Sequence, residues 1–254
     1  MEEELTIPHT CEECQHSVQD GDHYCYNCGA HLNEQVVTVN IFNNFSLRQV
    51  FLFYFIYLFI CLLVKHTRWF DSYDRLFWIE IALAAVTLHF AWRNRKSLFP
   101  ILRFNNFKWQ VFLGVIIFAA AASCIVNVTM RQVNVSFFGA DVNYFNAYKL
   151  YFFPVATMIY SIAVIPAIFE EVAFRGIMYN YCENFLDERL VVAVTAFLFA
   201  IMHLSLLSLV WLVPFGFFIG HLRRRYNTLW YGIFFHFAFN LTAVVIDLYK
   251  GGQL

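Results

Sequence analysis

The sequence predicts an all-α polytopic membrane protein of about seven transmembrane helices, preceded by a small cysteine-rich module. Of the 254 residues, 60% are hydrophobic and only 14% are charged, whereas soluble domains carry about 25% charged residues. The 31 phenylalanines exceed the needs of one soluble core, and lipid-facing helices explain them. The net charge of −1 gives no reason to expect a nucleic-acid partner.

The composition changes along the chain, and this change sets the predicted domain boundaries. Residues 1–34 are polar and rich in cysteine and histidine, residues 35–47 form a predicted linker, and residues 48–254 form the predicted membrane domain. The N-terminal segment carries no pattern typical of a secretory signal peptide.

Four of the seven cysteines form two CxxC pairs, Cys11 with Cys14 and Cys25 with Cys28. Two such pairs can surround a tetrahedral zinc ion with four thiolates, and Gly29 permits the tight turn after the last of them. We therefore predict a zinc ribbon with a structural zinc, because a module this short buries too few apolar residues to fold without metal. A disulfide pair and a redox CxxC are the alternatives. Reduced thiols indicate the cytosol, where the ribbon could bind a protein partner.

Seven apolar segments are expected to form membrane helices, at residues 48–65, 76–93, 110–130, 148–180, 190–208, 210–222 and 227–248. The sixth is shorter than the about 20 residues of a full span, which leaves its crossing of the membrane open. Basic residues cluster in the predicted loops 93–108 and 221–226, and the positive-inside rule places both loops in the cytoplasm. The N-terminus then lies in the cytoplasm as well, although the basic loop 65–75 would face outside.

Ionisable side chains inside membrane helices are costly and usually functional, and several lie in the last four segments. Counted from the cytoplasmic helix ends at about 1.5 Å per residue, Glu170 lies roughly 15 Å deep, His203 roughly 21 Å and His236 roughly 15 Å. Three helices thus bring one acid and two imidazoles to a similar depth. Asn240 follows His236 by four residues and therefore shares its helical face.

Glu171 and Arg175 are also four residues apart, so they share a helical face and can form an ion pair. Glu170 is rotated by about 100° from that face, which leaves it free to approach His203. A glutamate beside a histidine can take a proton from water, and a neighbouring His–Asn pair can stabilise an oxyanion. This set would suffice to hydrolyse a peptide bond without a covalent intermediate. From the spacing alone, a structural polar network and a transport or ion-binding site remain alternatives.

Three motifs at these positions resemble those of the CPBP family, the CAAX prenyl endopeptidase and bacteriocin-processing intramembrane proteases, also called Abi. The segment EEVAFR matches EExxxR at 170–175, FAIMH matches FxxxH at 199–203, and HFAFN matches HxxxN at 236–240. The resemblance covers about residues 148–248. It implies an α-helical membrane protease whose site opens toward the cytosolic side.

The resemblance also implies a role for each matched polar side chain. The implied catalytic residues form two pairs. Glu170 and His203 would activate water, and His236 and Asn240 would stabilise the oxyanion. Glu171 and Arg175 would support the site. One glutamate and two histidines can bind Zn²⁺, so a catalytic metal stays open. The motif EExxxR lacks the HExxH geometry of zinc proteases, which favours a metal-independent glutamate mechanism.

The expected substrate is a membrane-anchored protein or peptide. A zinc ribbon fused to a membrane protein is typical of bacteria, so the expected location is the bacterial plasma membrane. The alternative to an enzyme is a non-catalytic membrane scaffold or bacteriocin immunity protein that acts through its zinc ribbon.

Overall fold

The chain forms two compact units, Met1–Asn43 and Asn44–Leu254. The computed structural model describes residues 9–11, 13–18, 24–30, 40–67, 73–104, 107–139 and 143–253. The predicted linker 35–47 and the predicted loop 65–75 lie partly outside the described residues.

The first unit has two short antiparallel strands, β1 (His9–Thr10) and β2 (Ser17–Val18). Its two CxxC pairs form turns with the same hydrogen-bonding pattern. The amide of Gln15 donates to the carbonyl of Cys11 over 2.8 Å, and the amide of Gly29 donates to the carbonyl of Cys25 over 2.7 Å. Gln15 and Gly29 both have a positive φ, 58° and 73°. The predicted tight turn at Gly29 is confirmed, and glycine adopts it without a steric cost.

In the described part of the second unit, all regular secondary structure is helical and the connections are turns and irregular segments, which confirms the predicted all-α fold. Its longer helices are α1 (Phe45–His66), α2 (Tyr73–Arg93), α3 (Arg95–Leu102), α4 (Trp109–Phe138), α5 (Pro154–Cys182), α6 (Glu188–Met202), α7 (Leu209–Tyr226) and α8 (Trp230–Lys250). One 3₁₀ turn, Tyr144–Ala147, precedes α5.

Among the residues that the structure describes, five helices are long and apolar enough to cross a membrane, namely α1, residues Arg75–Arg93 of α2, α4, α5 and α8. The helix α6 has only 15 residues, and α7 carries three arginines in its last turn. The predicted count of about seven spans therefore stays a prediction, while the membrane character of the fold is clear.

Some predicted loops are helical in the structure. Residues 95–102, inside the predicted loop 93–108, form α3, and the predicted loop 221–226 is the last turn of α7. Arg223 in that turn is buried, and its Nε–H donates to the carbonyl of Arg175 over 3.2 Å. Conversely, the predicted segment 190–208 ends as a helix at Met202, since Leu204 adopts a φ of 52° that a right-handed helix cannot contain.

The helix α5 contains two π-helical segments, Tyr160–Val164 and Val172–Met178. A π-helical turn interrupts the regular hydrogen-bond pattern of an α-helix and often occurs at a functional site. In the first segment, the carbonyl of Ile162 accepts a hydrogen bond from the side chain of Asn240 on α8, over 2.8 Å. The two adjacent glutamates of α5 lie between the π-helical segments.

Small residues let α6 and α7 pack closely. A Cβ atom added at Gly216 would lie 3.0 Å from the Cα of Ala196, and one added at Gly220 would lie 3.0 Å from Cγ1 of Val192. Two glycines four residues apart are a common device for close helix contacts in membranes. This contact positions the C-terminal turn of α6 and the N-terminal turns of α7 beside α5.

Candidate functional site

The four cysteines of the ribbon converge on one point. Their Sγ atoms all lie within 4.8 Å of one another, with Cys11 and Cys28 at 3.7 Å and Cys14 and Cys25 at 3.5 Å. Zn–S bonds of about 2.3 Å in a tetrahedron separate the sulfur atoms by about 3.8 Å, whereas a disulfide joins them at about 2.05 Å. All four thiols are free. The cluster therefore fits a metal ion such as zinc and does not fit a disulfide pair.

The surroundings of Cys14 favour the thiolate. The side-chain amide of Asn27 donates to its Sγ over 3.6 Å. Together with a backbone hydrogen bond at His16, this contact lowers the pKa of Cys14 to about 6. The thiolate is the form that binds metal.

In the membrane unit, Glu171 and Arg175 form the predicted ion pair. Nη1 of Arg175 donates to Oε1 of Glu171 over 3.2 Å, and both side chains are almost completely buried. Nη2 donates to the carbonyl of Gly216 over 3.2 Å, and the guanidinium lies 4.4 Å above the ring of Phe199. A buried charge pair is costly unless further contacts satisfy its remaining groups. These contacts fix the guanidinium between α5, α6 and α7.

The same carboxylate oxygen of Glu171 also contacts His236, across 2.9 Å to Nδ1. An ionised carboxylate only accepts hydrogen bonds, so Nδ1 carries the hydrogen and Nε2 is directed at the cavity. His236 is only 4% exposed. This contact is not predictable from the sequence, because spacing along one helix says nothing about partners on another helix.

Glu170 is rotated by about 100° around the helix axis from Glu171, and it lies beside the other ring nitrogen of His236. Its side chain is 26% exposed, and its Oε2 lies 4.0 Å from Nε2 of His236. This oxygen is buried and has no hydrogen-bond partner among the residues that the structure describes. Buried polar atoms normally have a partner. The space between Glu170 and His236 is thus suited to a water molecule or a polar group of a ligand.

His203 lies just past the last residue of α6 and contacts the same cavity. Its Nδ1 donates to the carbonyl of Phe199 over 3.0 Å, because a carbonyl can only accept. Its Nε2 is then an acceptor when the imidazole is neutral. The structure places His203 and Glu170 on one cavity wall, while the nearer ionisable partner of Glu170 is His236.

Asn240 lines the cavity one helical turn after His236, as their shared face predicts. One N–H of its amide group donates to the carbonyl of Ile162 over 2.8 Å. A side-chain amide has two N–H donors, so the second is available to a ligand.

The cavity between these helices has a volume of about 260 Å³ and contains the four predicted catalytic side chains. Apolar and aromatic residues form the rest of its wall, including Phe199, Trp211 and Phe215. The ring of Phe215 lies edge-on to His236 at a centroid distance of 5.0 Å. Nothing in the sequence distinguished Trp211 and Phe215, because aromatic residues are frequent along the whole chain. An apolar wall strengthens electrostatic interactions inside the cavity.

A catalytic metal has no evident ligand cluster in the described part of the membrane unit. Across the described ranges, the four ribbon cysteines are the one group of at least three His, Cys, Asp or Glu residues close enough to share an ion. The predicted preference for a metal-independent mechanism stays a prediction.

Comparison with known proteins bears on the same segment. Residues 152–242 match the family model of the type II CAAX prenyl endopeptidases, Rce1-like. The match spans all of α5, α6 and α7 and the first part of α8, and it contains all six predicted polar site residues. Comparisons with curated proteins and with solved structures found no match. Within the described residues, five helices are able to cross a bilayer, so the chain is an integral membrane protein, and its residues 152–242 are similar to the Rce1-like type II CAAX prenyl endopeptidases.

Proposed function

We propose that the chain is an intramembrane endopeptidase that hydrolyses a peptide bond with a water molecule activated by Glu170. The observation that carries this proposal is the buried carboxylate oxygen of Glu170, which faces Nε2 of His236 at 4.0 Å without a hydrogen-bond partner in the described chain. The family match over residues 152–242 supports a protease of the CAAX type.

In the first step, Glu170 takes a proton from water, and the water oxygen attacks the carbonyl carbon of the scissile bond. His203 accepts a second hydrogen bond from this water through Nε2, since its Nδ1 is bound to the carbonyl of Phe199. The hydrogen bonds orient a lone pair of the water oxygen toward the carbonyl carbon. General base catalysis of this kind contributes roughly 10²–10⁴-fold to a rate.

His236 and Asn240 stabilise the negative charge that develops on the carbonyl oxygen. Protonated His236 donates from Nε2, and Glu171 stabilises this imidazolium by accepting the Nδ1 hydrogen bond. Asn240 donates the N–H that does not contact Ile162. Such donors act strongly where water is excluded. Glu170 then returns its proton to the leaving amine as the C–N bond breaks, which regenerates the carboxylate.

The substrate class follows from the location of the site. A peptide bond reaches a cavity within membrane helices only when its chain enters the bilayer, so the substrate is a membrane-anchored protein or peptide, of the CAAX type that the family description names. We further propose a bacterial plasma membrane as the location, a cytoplasmic N-terminus, and zinc as the metal of the ribbon. The ribbon would bind a protein partner.

The test compares peptide termini in host membranes that carry the wild type or Glu170→Gln. New termini should appear with the wild type and be lost with Glu170→Gln, because an amide cannot take the proton from water. Glu188→Gln makes the same chemical change at the exposed start of α6 and should retain the termini at equal protein levels.

Identical termini from the wild type and Glu170→Gln would refute the proposed activity. If Cys25→Ser then abolished the cellular function while Glu170→Gln did not, the chain would be a scaffold that acts through its ribbon.

A further inference from the structure

A cavity of about 360 Å³, named the basic pocket, shares no wall residue with the catalytic cavity. Its wall includes Phe45 at the start of α1, the corner between α2 and α3, and Asn180 near the end of α5. These three helices, α1, α2 and α5, are all able to cross a bilayer. Because the pocket lies where they begin or end, it lies at the level of a membrane–water interface. Its volume falls within the about 300–1,000 Å³ that is common for ligand sites.

The wall of the basic pocket carries an excess of positive charge. Its charged residues are Arg93, Arg95 and Lys96, and no described wall residue is acidic. Arg93 and Lys96 are exposed and form no ion pair within the part of the chain that the structure describes. Nη1 of Arg95 donates to the carbonyl of Trp92 over 2.9 Å. A guanidinium has five N–H donors, so Arg95 retains donors for a ligand. The charge of the wall favours an anion.

Two buried amides in the same wall also favour an anion, Asn94 at 9% exposure and Asn180 at 8%. A guanidinium only donates, so Nη2 of Arg223 donates to Oδ1 of Asn180 over 3.0 Å. Nδ2 of Asn180 then donates to Oδ1 of Asn94 over 3.3 Å. Both amide oxygens thus have partners inside the protein, whereas Nδ2 of Asn94 has none among the described residues. Buried polar groups normally have a partner, and an anionic oxygen would supply the missing acceptor.

Exposed aromatic rings beside the basic pocket indicate that it opens toward lipid headgroups. Phe45, Trp92 and Phe99 each expose more than half of their surface. Tryptophan is enriched at membrane–water interfaces, and the positive-inside rule places the basic corner of α2 and α3 in the cytoplasm. A lipid offers both parts that this surface lacks, an anionic headgroup for the cations and acyl chains for the exposed rings. Basic pockets between membrane helices bind such headgroups.

We propose that the basic pocket binds the phosphate group of an anionic membrane lipid in the cytoplasmic leaflet. Arg93 and Arg95 would each pair two N–H groups with phosphate oxygens, and Lys96 would act as a point charge. The N–H groups of Asn94 would complete the donor set. This site is separate from the cavity at Glu170, and its ligand does not depend on the proposed hydrolysis.

Native mass spectrometry of the full chain in mixed micelles tests the site. Phosphatidylglycerol and phosphatidylcholine with the same acyl chains are offered at equal concentration, and the wild type should retain phosphatidylglycerol in preference. The double variant Arg93→Gln with Lys96→Gln should lower the affinity for phosphatidylglycerol about ten-fold or more, because charge-assisted hydrogen bonds to phosphate are lost. Arg189→Gln with Arg225→Gln is the matched control. It removes the same charge from two exposed positions outside the basic pocket and should leave the affinity unchanged.

Three results would overturn the proposal. Equal retention of the two lipids would show that the site does not select an anionic headgroup. An equal loss of affinity in the two double variants would show that net charge alone attracts the lipid. Displacement of the lipid by an equal concentration of inorganic phosphate would identify a soluble phosphate as the ligand instead.

A carboxylate placed in the wall of the basic pocket tests the position of the phosphate group. Ser97 lines the pocket and is exposed, so both Ser97→Glu and Ser97→Gln should fold, with the wild-type Tm. Ser97→Glu should weaken the retention of phosphatidylglycerol, because like charges repel, whereas Ser97→Gln has the same size and should keep it. Equal retention by the two variants would place the phosphate group elsewhere and refute the site.

Discussion

At the scale of single residues, the two adjacent glutamates of α5 have different surroundings. Glu171 is completely buried, and its Oε1 accepts from Arg175 over 3.2 Å and from His236 over 2.9 Å. Gly232 leaves space for this carboxylate, because a Cβ there would lie 3.3 Å from Oε2 of Glu171. Glu170 is partly exposed to the cavity. Adjacent helical residues differ in direction by about 100°, so one carboxylate can hold the site together while the other faces the ligand.

Glu171→Gln should therefore destabilise the membrane unit, whereas Glu170→Gln should not. An amide at 171 removes the negative charge beside Arg175, and breaking a buried ion pair costs about 3–5 kcal/mol. Thermal unfolding of both purified variants in one detergent measures the difference. We expect the Tm of Glu171→Gln to fall by several degrees and that of Glu170→Gln to stay at the wild-type value. Equal Tm values for the two variants would contradict these separate roles.

At the scale of helices, the position of α7 on α6 controls the geometry of the site. Gly216 meets the backbone of Ala196, and its carbonyl accepts from Nη2 of Arg175 over 3.2 Å. A change in the spacing of α6 and α7 thus moves an acceptor of the buried guanidinium. The same hairpin carries His203 at its tip.

Gly216→Ala should destabilise the chain by about 1–3 kcal/mol, because the added methyl group would overpack a close helix contact. Gly114→Ala on α4 is the matched control, since a Cβ there meets nothing within 4 Å. Alanine in an open helical position is favoured over glycine by up to about 1 kcal/mol. Chemical unfolding in mixed micelles should show that the free energy of unfolding falls with Gly216→Ala and rises with Gly114→Ala. An unchanged free energy of unfolding for Gly216→Ala would contradict the prediction, because it would mean that α6 and α7 can move apart with little loss of stability.

At the scale of the whole molecule, the ribbon and the membrane unit depend on different sources of stability. The membrane unit has a large apolar core. Among the described residues of the ribbon, the buried apolar side chains are those of two ligand cysteines, Cys11 and Cys25. A module with so small a core derives its folding free energy from metal.

The purified chain should contain about one zinc ion, and a strong chelator should unfold the ribbon alone. Limited proteolysis after chelation should cut within residues 1–43 and leave the unit Asn44–Leu254 intact. Cys25→Ser should lose the metal in elemental analysis. Cys61→Ser in α1 is the matched control and should keep it. A metal-free chain with an intact, protease-resistant ribbon would contradict the prediction.

The features that depend on local spacing could be predicted from the order of residues. Two CxxC pairs specified the cysteine cluster, and the spacing of Glu171 and Arg175 specified their ion pair, because residues four apart on a helix are neighbours in any helical fold. Continuous apolar segments predicted seven membrane helices, and five helices within the described residues are able to cross a bilayer, with ends shifted by several residues. The order of the three motifs predicted the family whose model matches the segment 152–242.

The contacts between groups on different helices, by contrast, depend on how the helices pack in the folded chain. His236 contacts Glu171, 65 residues away, and Asn240 contacts Ile162, 78 residues away. Arg223 belongs to a basic run that the sequence assigned to a cytoplasmic loop, yet it is buried against α5. Helical periodicity gives the direction of each side chain around its own axis, but the pairing of faces depends on how the axes pack. Close contacts at Gly216 and two π-helical segments in α5 set that packing, and with it the site.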